Sequence, residues 1–375
     1  MTSKLGDSET PSRSRGKTTL PNLLNRELFW RDHYEWLKEQ GYLLRPRYRP
    51  DWVPSWSNAS DTMRFDHEDS YHNRGSILDA TRMSDNETVV LKKISTQVHP
   101  FEAEITKSFS TEPISSHPRN RCIPLLDVIS VPDIEDTVLL ILPLLRSYDD
   151  PRFKSVGEAV AFFTQIFEGL QFIHQCHIAH RDCMNLNIMM DPKPIFPKLY
   201  HPAANRRTKD FSGRAKYYTR TVRPVKYYFI DFGISRQYSP DDVHPLEDPI
   251  LGGDKTVPEF QNSNAPCDPF ATNIYYLGNL IREDFFERTK GLDFMEPLVA
   301  DMVQDDPSKR PKIDEVVKRF EKICCSLHWW TLRSRLVERE EDDSAFGPSI
   351  RAIHHFFRTT THVLTFKRAI PTPRH

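Results

Sequence analysis

Residues 179 to 191 read AHRDCMNLNIMMD and set His180, Arg181 and Asp182 in a row, with Asn187 five positions after the aspartate. Downstream, the apolar run YYFI leads directly into Asp231, Phe232 and Gly233. Upstream, the run VVLK ends on Lys92. Carboxylates accept protons and, like amide oxygens, bind hard divalent cations, while an ammonium neutralises phosphate charge. Phosphoryl transfer asks for such groups together, because it makes little covalent demand on a protein and depends on holding a hydroxyl in line and neutralising spread negative charge.

With HRD, an Asn five places after that Asp, and DFG after a strand, the sequence resembles the protein-kinase family. Each string is short and common. Their order is hard to obtain by accident, especially with Val257, Pro258 and Glu259 in the place of the family's APE and DPSKRP, Asp306 to Pro311, where kinases carry the arginine that pairs with that glutamate. The resemblance spans roughly residues 65 to 325. It implies ATP and Mg²⁺ as cofactors, with Asp182 accepting or orienting the hydroxyl proton, Arg181 beside it, and Asn187 and Asp231 holding metal. VVLK matches the family's VAIK, which makes Lys92 the cation for the α- and β-phosphates.

The glutamate partner of Lys92 is expected within HPFEAEITKSF. From Glu102 the helical offsets of three and seven fall on Ile105 and Phe109, an apolar stripe; from Glu104 they fall on Lys107 and Thr111, so Glu102 is preferred. The plain alternative leaves both as surface acids. Ile77, Val90 and Met189 match the positions that sandwich adenine and Leu142 to Leu145, Leu144 included, the hinge; the plain alternative is ordinary core. Glu259 with Arg310 reads as a buried structural ion pair rather than a catalytic one.

The chain departs from the family in several places. In the position of the GxGxxG loop stands SYHNRG, with only Gly75 retained. Met184 replaces the lysine two positions after Asp182, and Gly252 replaces the threonine that completes that group, so a slow enzyme is expected unless a substrate group or a residue such as Lys255 compensates. Asn273 replaces an aspartate that tethers the catalytic loop, a mild change because an amide oxygen also accepts a backbone hydrogen bond. Residues 192 to about 225 are inserted before the DFG strand, and 198 to 226 carry nine positive charges against Asp210 alone. That basic stretch, with Tyr217 and Tyr218, reads as a dock for an acidic or phosphorylated partner, against a solvated, mobile loop as the alternative. Arg181 is expected to pair with a phosphorylated residue, for which Ser235, Tyr238, Ser239 and Thr256 are available.

The elements around these residues set the fold class. In 375 residues the Lys and Arg total of 51 nearly cancels 52 Asp and Glu, so a charged partner must be met by a local patch and nucleic acid is not expected. Residues 1–20 lack bulky apolar side chains and read as a disordered tail. An amphipathic helix is predicted over 20 to 39 on Leu24, Leu28, Trp36 and Leu37, followed by a Trp- and Pro-rich strap; together they make up 21–64. That strap, GYLLRPRYRPDWVPSW, looks like one found before the kinase-like domain of proteins from mushroom-forming fungi. Strand patterns then fill 65–145, CIPLLDVISV and TVLLILPLL reading as two buried strands, and helix patterns fill 146–325, with an extension over 326–375. Strands followed by helices predict an α+β chain, which the resemblance sharpens to a two-lobed kinase-like fold. Cys122, Cys176, Cys183, Cys267, Cys324 and Cys325 show no paired spacing and read as reduced thiols. His33, His328, His354 and His355 have no metal-ligand spacing. With no signal peptide and no run near the roughly 20 apolar residues of a membrane span, a protein inside the cell, cytoplasmic or nuclear, not secreted and away from membranes, is expected.

The function that follows is ATP- and Mg-dependent transfer to a protein hydroxyl, Ser or Thr rather than Tyr. The alternative is a pseudokinase acting as a scaffold, favoured by SYHNRG, Met184 and Gly252. A small-molecule phosphotransferase of the aminoglycoside or choline kinase type shares the Asp-to-Asn spacing, but the Arg181-type residue and the Glu259 and Arg310 pair count against it.

Overall fold

The computed structural model describes residues 23–56, 67–70, 75–250, 252–261, 264–343 and 347–373; the expected N-terminal tail and residues 71–74 of SYHNRG lie outside them. In place of one helix over 20–39 there are two, α1 (Asn25–Asp32) and α2 (Tyr34–Glu39). They join at His33, whose Nδ1 lies 2.7 Å from the Phe29 carbonyl. Trp30, Tyr34 and Leu37 form the buried face and Leu24 is 41% exposed, because the larger rings at helical spacing remove more apolar surface from water. Gly41, at φ +90°, turns the chain into β1 (Tyr42–Leu44).

Strands β2 (Ile77–Arg82) and β3 (Glu87–Ser95) form a hairpin, and α3 (Glu102–Phe109) separates it from β4 (Asp127–Ser130) and β5 (Thr137–Pro143). All five strands join one antiparallel sheet in the order β1-β2-β3-β5-β4. Side chains alternate faces. Leu78, Ala80, Val89, Leu91, Leu139 and Ile141 pack with Trp30 and Leu37 of the first two helices. Val90, Ile94, Leu140 and Leu142 belong to the larger core on the opposite side. Lys92, in register with Leu140, shares that second face. β4 is an exposed edge rather than the buried strand expected, since it pairs on one side only.

After β5 the chain is mostly helical. β6 (Arg146–Ser147) precedes α4 (Val156–Gln175), which starts at Ser155, whose Oγ accepts from the Glu158 N–H, and is apolar around most of its circumference, as a core helix must be. β7 (Ile178–Ala179), β8 (Ile188–Met190), β9 (Tyr227–Phe229) and β10 (Arg236–Gln237) flank the loop that carries His180 to Asn187, with order β6-β8-β9 in one small sheet and β10-β7 in another. Next come α5 (Pro258–Gln261) and α6 (Pro269–Ile281), the latter capped by Asp268 with Pro269 in its first turn. β11 (Thr289–Lys290), α7 (Glu296–Met302), α8 (Ile313–Ser326), α9 (Trp329–Arg333), β12 (Val337–Glu338) and α10 (Gly347–Leu364) complete the described chain. No helix among the described residues is long and apolar enough to cross a membrane.

The basic insert is folded onto the body rather than a solvated loop. Ile195, Phe196 and Tyr200 are buried in the main core, and the Tyr200 hydroxyl donates to the Leu145 carbonyl at 3.3 Å. The buried Arg220 donates to the carbonyls of Tyr148 and Pro151, and Lys209 Nζ to Thr88 Oγ1 on β3. Arg206, Arg214, Lys216 and Arg223 remain on the surface.

Candidate active site

β3 and α3 bring the first pair together. Lys92 Nζ donates to Glu102 Oε1 at 2.5 Å and meets Asp231 Oδ1 at 2.9 Å. Glu102 is 2% exposed because Ile105 and Phe109 of the same helix face are held in the core, whereas Glu104 is exposed. Burial by itself would discharge the Lys92 ammonium, but the charges of Glu102 and Asp231 outweigh it and hold its pKa above the usual lysine value.

Asp231 sits at the end of a short strand in a left-handed conformation, φ +64°. Phe232, fully buried, anchors this turn between Phe109 of α3, ring centroids 5.5 Å apart, and His180, 4.9 Å away. The third residue has to be small: a Cβ on Gly233 would stand 2.9 Å from His99 Nδ1 and 3.2 Å from Glu102 Oε2. The Asp231 side chain stays 46% exposed. Burial would raise its pKa, yet the Lys92 ammonium and the Gly233 N–H pull it below the ordinary aspartate value, so it is ionised at neutral pH.

The loop between β7 and β8 supplies the second carboxylate. Asn187 Nδ2 donates to Asp182 Oδ2 at 2.7 Å and to the Asp182 carbonyl at 2.9 Å. Arg181, at φ +66°, is pinned by α6: the fully buried Asn273 accepts its backbone N–H at 2.8 Å. Among the described residues Asp182 Oδ1 is buried with no hydrogen-bond partner. Its pKa is pushed up to about 6 by burial first and the Asp231 charge second, against the Asn187 hydrogen bond.

Asp182 and Asp231 line one cavity of about 450 Å³ with His99, Gly233, Gly252 and Gly253. Gly253 has φ +73°, and a Cβ there would stand 2.8 Å from Asp182 Oδ1. Gly252 and Gly253 therefore give the cavity a wall of bare backbone. His99, Gly253 and Glu247 are not singled out by the sequence reading.

Arg181 takes its partner from the chain itself. Its guanidinium meets Glu247 Oε2 at 3.2 Å and donates to the Asp248 carbonyl at 2.9 Å, while the Tyr238 hydroxyl donates to Glu247 at 2.9 Å. The charge expected from a phosphorylated residue is thus present as a carboxylate. Ser235, one of the four hydroxyls put forward, is fully buried and donates to the His180 carbonyl.

The residues expected around adenine are distributed over three strands. Val90 is in register with Leu142 of β5, Ile77 with Lys92, and Met189 lies on β8. Leu142 and Leu144 are buried and Ile77 is 37% exposed. Gly75 is placed elsewhere: the Trp30 indole N–H donates to its carbonyl at 3.0 Å, and a Cβ on it would stand 2.8 Å from Arg26 Cβ. Its lack of a side chain serves the packing of α1.

No family model matches the chain, and none of the curated proteins matches it. The donor set is therefore weighed on its own. Among the described residues no group of three or more His, Cys, Asp or Glu side chains forms a metal cage. An ionised carboxylate, Asp231, lining an open cavity, with the buried Asn187 amide held on Asp182 behind it, fits Mg²⁺, which keeps waters and takes phosphate oxygens rather than filling its shell from protein.

Proposed function

We propose that the chain is a phosphotransferase with a two-lobed kinase-like architecture, using ATP and Mg²⁺ to phosphorylate a protein hydroxyl, Ser or Thr. The observation that carries this reading is the placement of Lys92 between Glu102 and Asp231, beside a cavity that Asp182 also lines. Lys92 would neutralise the α- and β-phosphates, and Asn187 and Asp231 would hold the metal. When bound, Mg-ATP supplies the transferable phosphoryl group and offsets its charge.

The chain's own residues do the rest. Asp182, oriented by Asn187 through two hydrogen bonds, accepts or aligns the proton of the attacking hydroxyl. A pKa of about 6 leaves it mostly ionised at neutral pH and close enough to accept that proton. Arg181, already neutralised by Glu247, fixes the segment leading to the cavity without a phosphate, so the site is assembled in the unmodified chain.

A scaffold without transfer is the second reading, favoured by Met184 where a cation would face the transferred group and by Gly75 being taken up in packing. Incubation with radiolabelled ATP and Mg²⁺ separates the two. The expected result is autophosphorylation or labelling of a generic basic protein, abolished in Asp182→Asn with the fold unchanged. Label transfer by that variant at the wild-type rate would remove the assignment of Asp182, and no transfer by wild type would favour the scaffold.

A further inference from the structure

Helix α10 is amphipathic in the reverse of the usual sense. Its polar residues face the body: His355 Nε2 lies 2.9 Å from the Arg333 carbonyl, and His355, Arg358, Thr359 and His362 line a pocket against Leu332 and Thr221. Its apolar residues Ile350, Ile353, Phe357 and Leu364 recur at helical spacing on the opposite side. They stand in solvent with exposures of 56, 56, 65 and 72%, and Phe366, just past the helix, is 93% exposed. A contiguous apolar stripe of this kind marks a surface that something else covers.

Charge identifies the occupant. From residue 347 to 373 the chain has no acidic residue; of its cations Arg351 pairs with Glu341 at 3.3 Å and Arg358 faces the body, which leaves Lys367 and Arg368 past the helix. Where the helix ends, Lys367 and Arg368 share a groove of about 1150 Å³ with Arg223 and Lys226 of the insert, and the one acid lining it is Asp191. We propose that α10 and this basic groove form a docking surface for an anionic lipid bilayer, the helix lying in the plane of the interface with its apolar stripe at the acyl boundary and the cations among headgroup phosphates. A second copy of the chain is the competing occupant of the stripe, and the oligomeric state of the free protein distinguishes it from a bilayer. Nucleic acid would engage the cations and stack on aromatic rings but leave Ile350, Ile353 and Leu364 uncovered. The near-zero total charge is no obstacle, since the patch is local. This proposal does not depend on the catalytic one.

Co-sedimentation of the full chain with vesicles tests it, comparing phosphatidylcholine alone with phosphatidylcholine containing about a third phosphatidylserine. The expected result is binding to the anionic vesicles only, weakening as salt is raised. Ile353→Glu with Phe357→Glu should lower partitioning about tenfold or more, and so should Lys367→Glu with Arg368→Glu. Ile134→Glu, at an exposed apolar side chain on the β4–β5 turn, should leave it unchanged. Thermal melting of each variant checks that the fold is kept. The proposal is overturned by absence of binding, by equal binding to neutral vesicles, by an acidic peptide or single-stranded RNA displacing the vesicles, or by a solution dimer that Ile353→Glu with Phe357→Glu dissolves.

Discussion

Two clusters of charge in this protein are built on opposite plans. Around Arg310, whose side chain is fully buried, both terminal nitrogens meet Glu259 at 2.7 and 2.6 Å, the Nε donates to the Gln304 carbonyl, and Thr272 adds a hydrogen bond to the same carboxylate. Every strong demand is met. Around the cavity, two aspartates stand close enough to raise one pKa, Asp182 Oδ1 has no partner among the described residues, and Arg181, Asp231 and Gly253 hold left-handed backbone. Saturation is what a structural ion pair needs, because a charge stranded in low dielectric is expensive. Both features also occur singly elsewhere, as at Asn86 and at the Tyr276 hydroxyl, but beside the cavity they fall together on neighbouring residues, where a ligand or a reaction could use them.

Substitutions that exchange the two behaviours test this contrast. The largest effect is expected at the saturated pair: Arg310→Ala should lower the unfolding free energy by about 3–5 kcal/mol in urea titrations, by stranding Glu259. A loss below about 1 kcal/mol would show that the pair is screened like a surface bridge. At the cavity the damage should fall on rate. Lys92→Met is expected to reduce label transfer about 10²- to 10³-fold, the usual consequence of removing one electrostatic donor. Gly253→Ala should reduce transfer about tenfold, since its Cβ would press on Asp182 Oδ1 and its φ of +73° disfavours a side chain. Unchanged transfer would mean that the glycine wall is not part of the site.

Asp182 gives the smallest effect and the opposite sign. Its pKa is raised from 3.8 to about 6, so the folded state binds that proton more tightly than the unfolded chain does. The stabilisation is complete below the unfolded value and is lost as pH rises through about 6, above which the buried carboxylate is a burden. Asp182→Asn should therefore stabilise the fold by about 1 kcal/mol at pH 8, after allowance for solvent screening, and have little effect at pH 4. In the wild type, transfer should decline as pH falls through about 6, visible in a pH–rate profile. A destabilised Asp182→Asn at pH 8 would place Asp182 with the structural pair.

One contact within a short segment was legible in the sequence. Glu102 meets Lys92 because helical periodicity separates it from Glu104, whereas the hydrogen bond from Asn187 to Asp182, five residues apart in one loop, was not foreseen. The backbone acceptor role of Asn273 also followed from its chemistry. What the sequence concealed depends on chain paths fixed by distant packing. Glu247 and Gly253 arrive through irregular segments with no periodicity, and His99 is placed only because Gly233 leaves room for it. The anchoring of the insert through Ile195, Phe196 and Tyr200 was hidden by its many charges, and the break at His33 was invisible because the apolar spacing runs through it.

The most direct test of the central claim, that Lys92, Asp182, Asn187 and Asp231 surround one metal-bound triphosphate, is a thermal-shift titration with ATP, with and without Mg²⁺, on wild type and Asp231→Asn. Ligand at about 100 times its dissociation constant stabilises a fold by about 2.7 kcal/mol, well within reach of melting curves. The account predicts a Mg²⁺-dependent rise in melting temperature for wild type that Asp231→Asn loses. No rise at millimolar ATP, or a rise indifferent to both Mg²⁺ and Asp231, would contradict it.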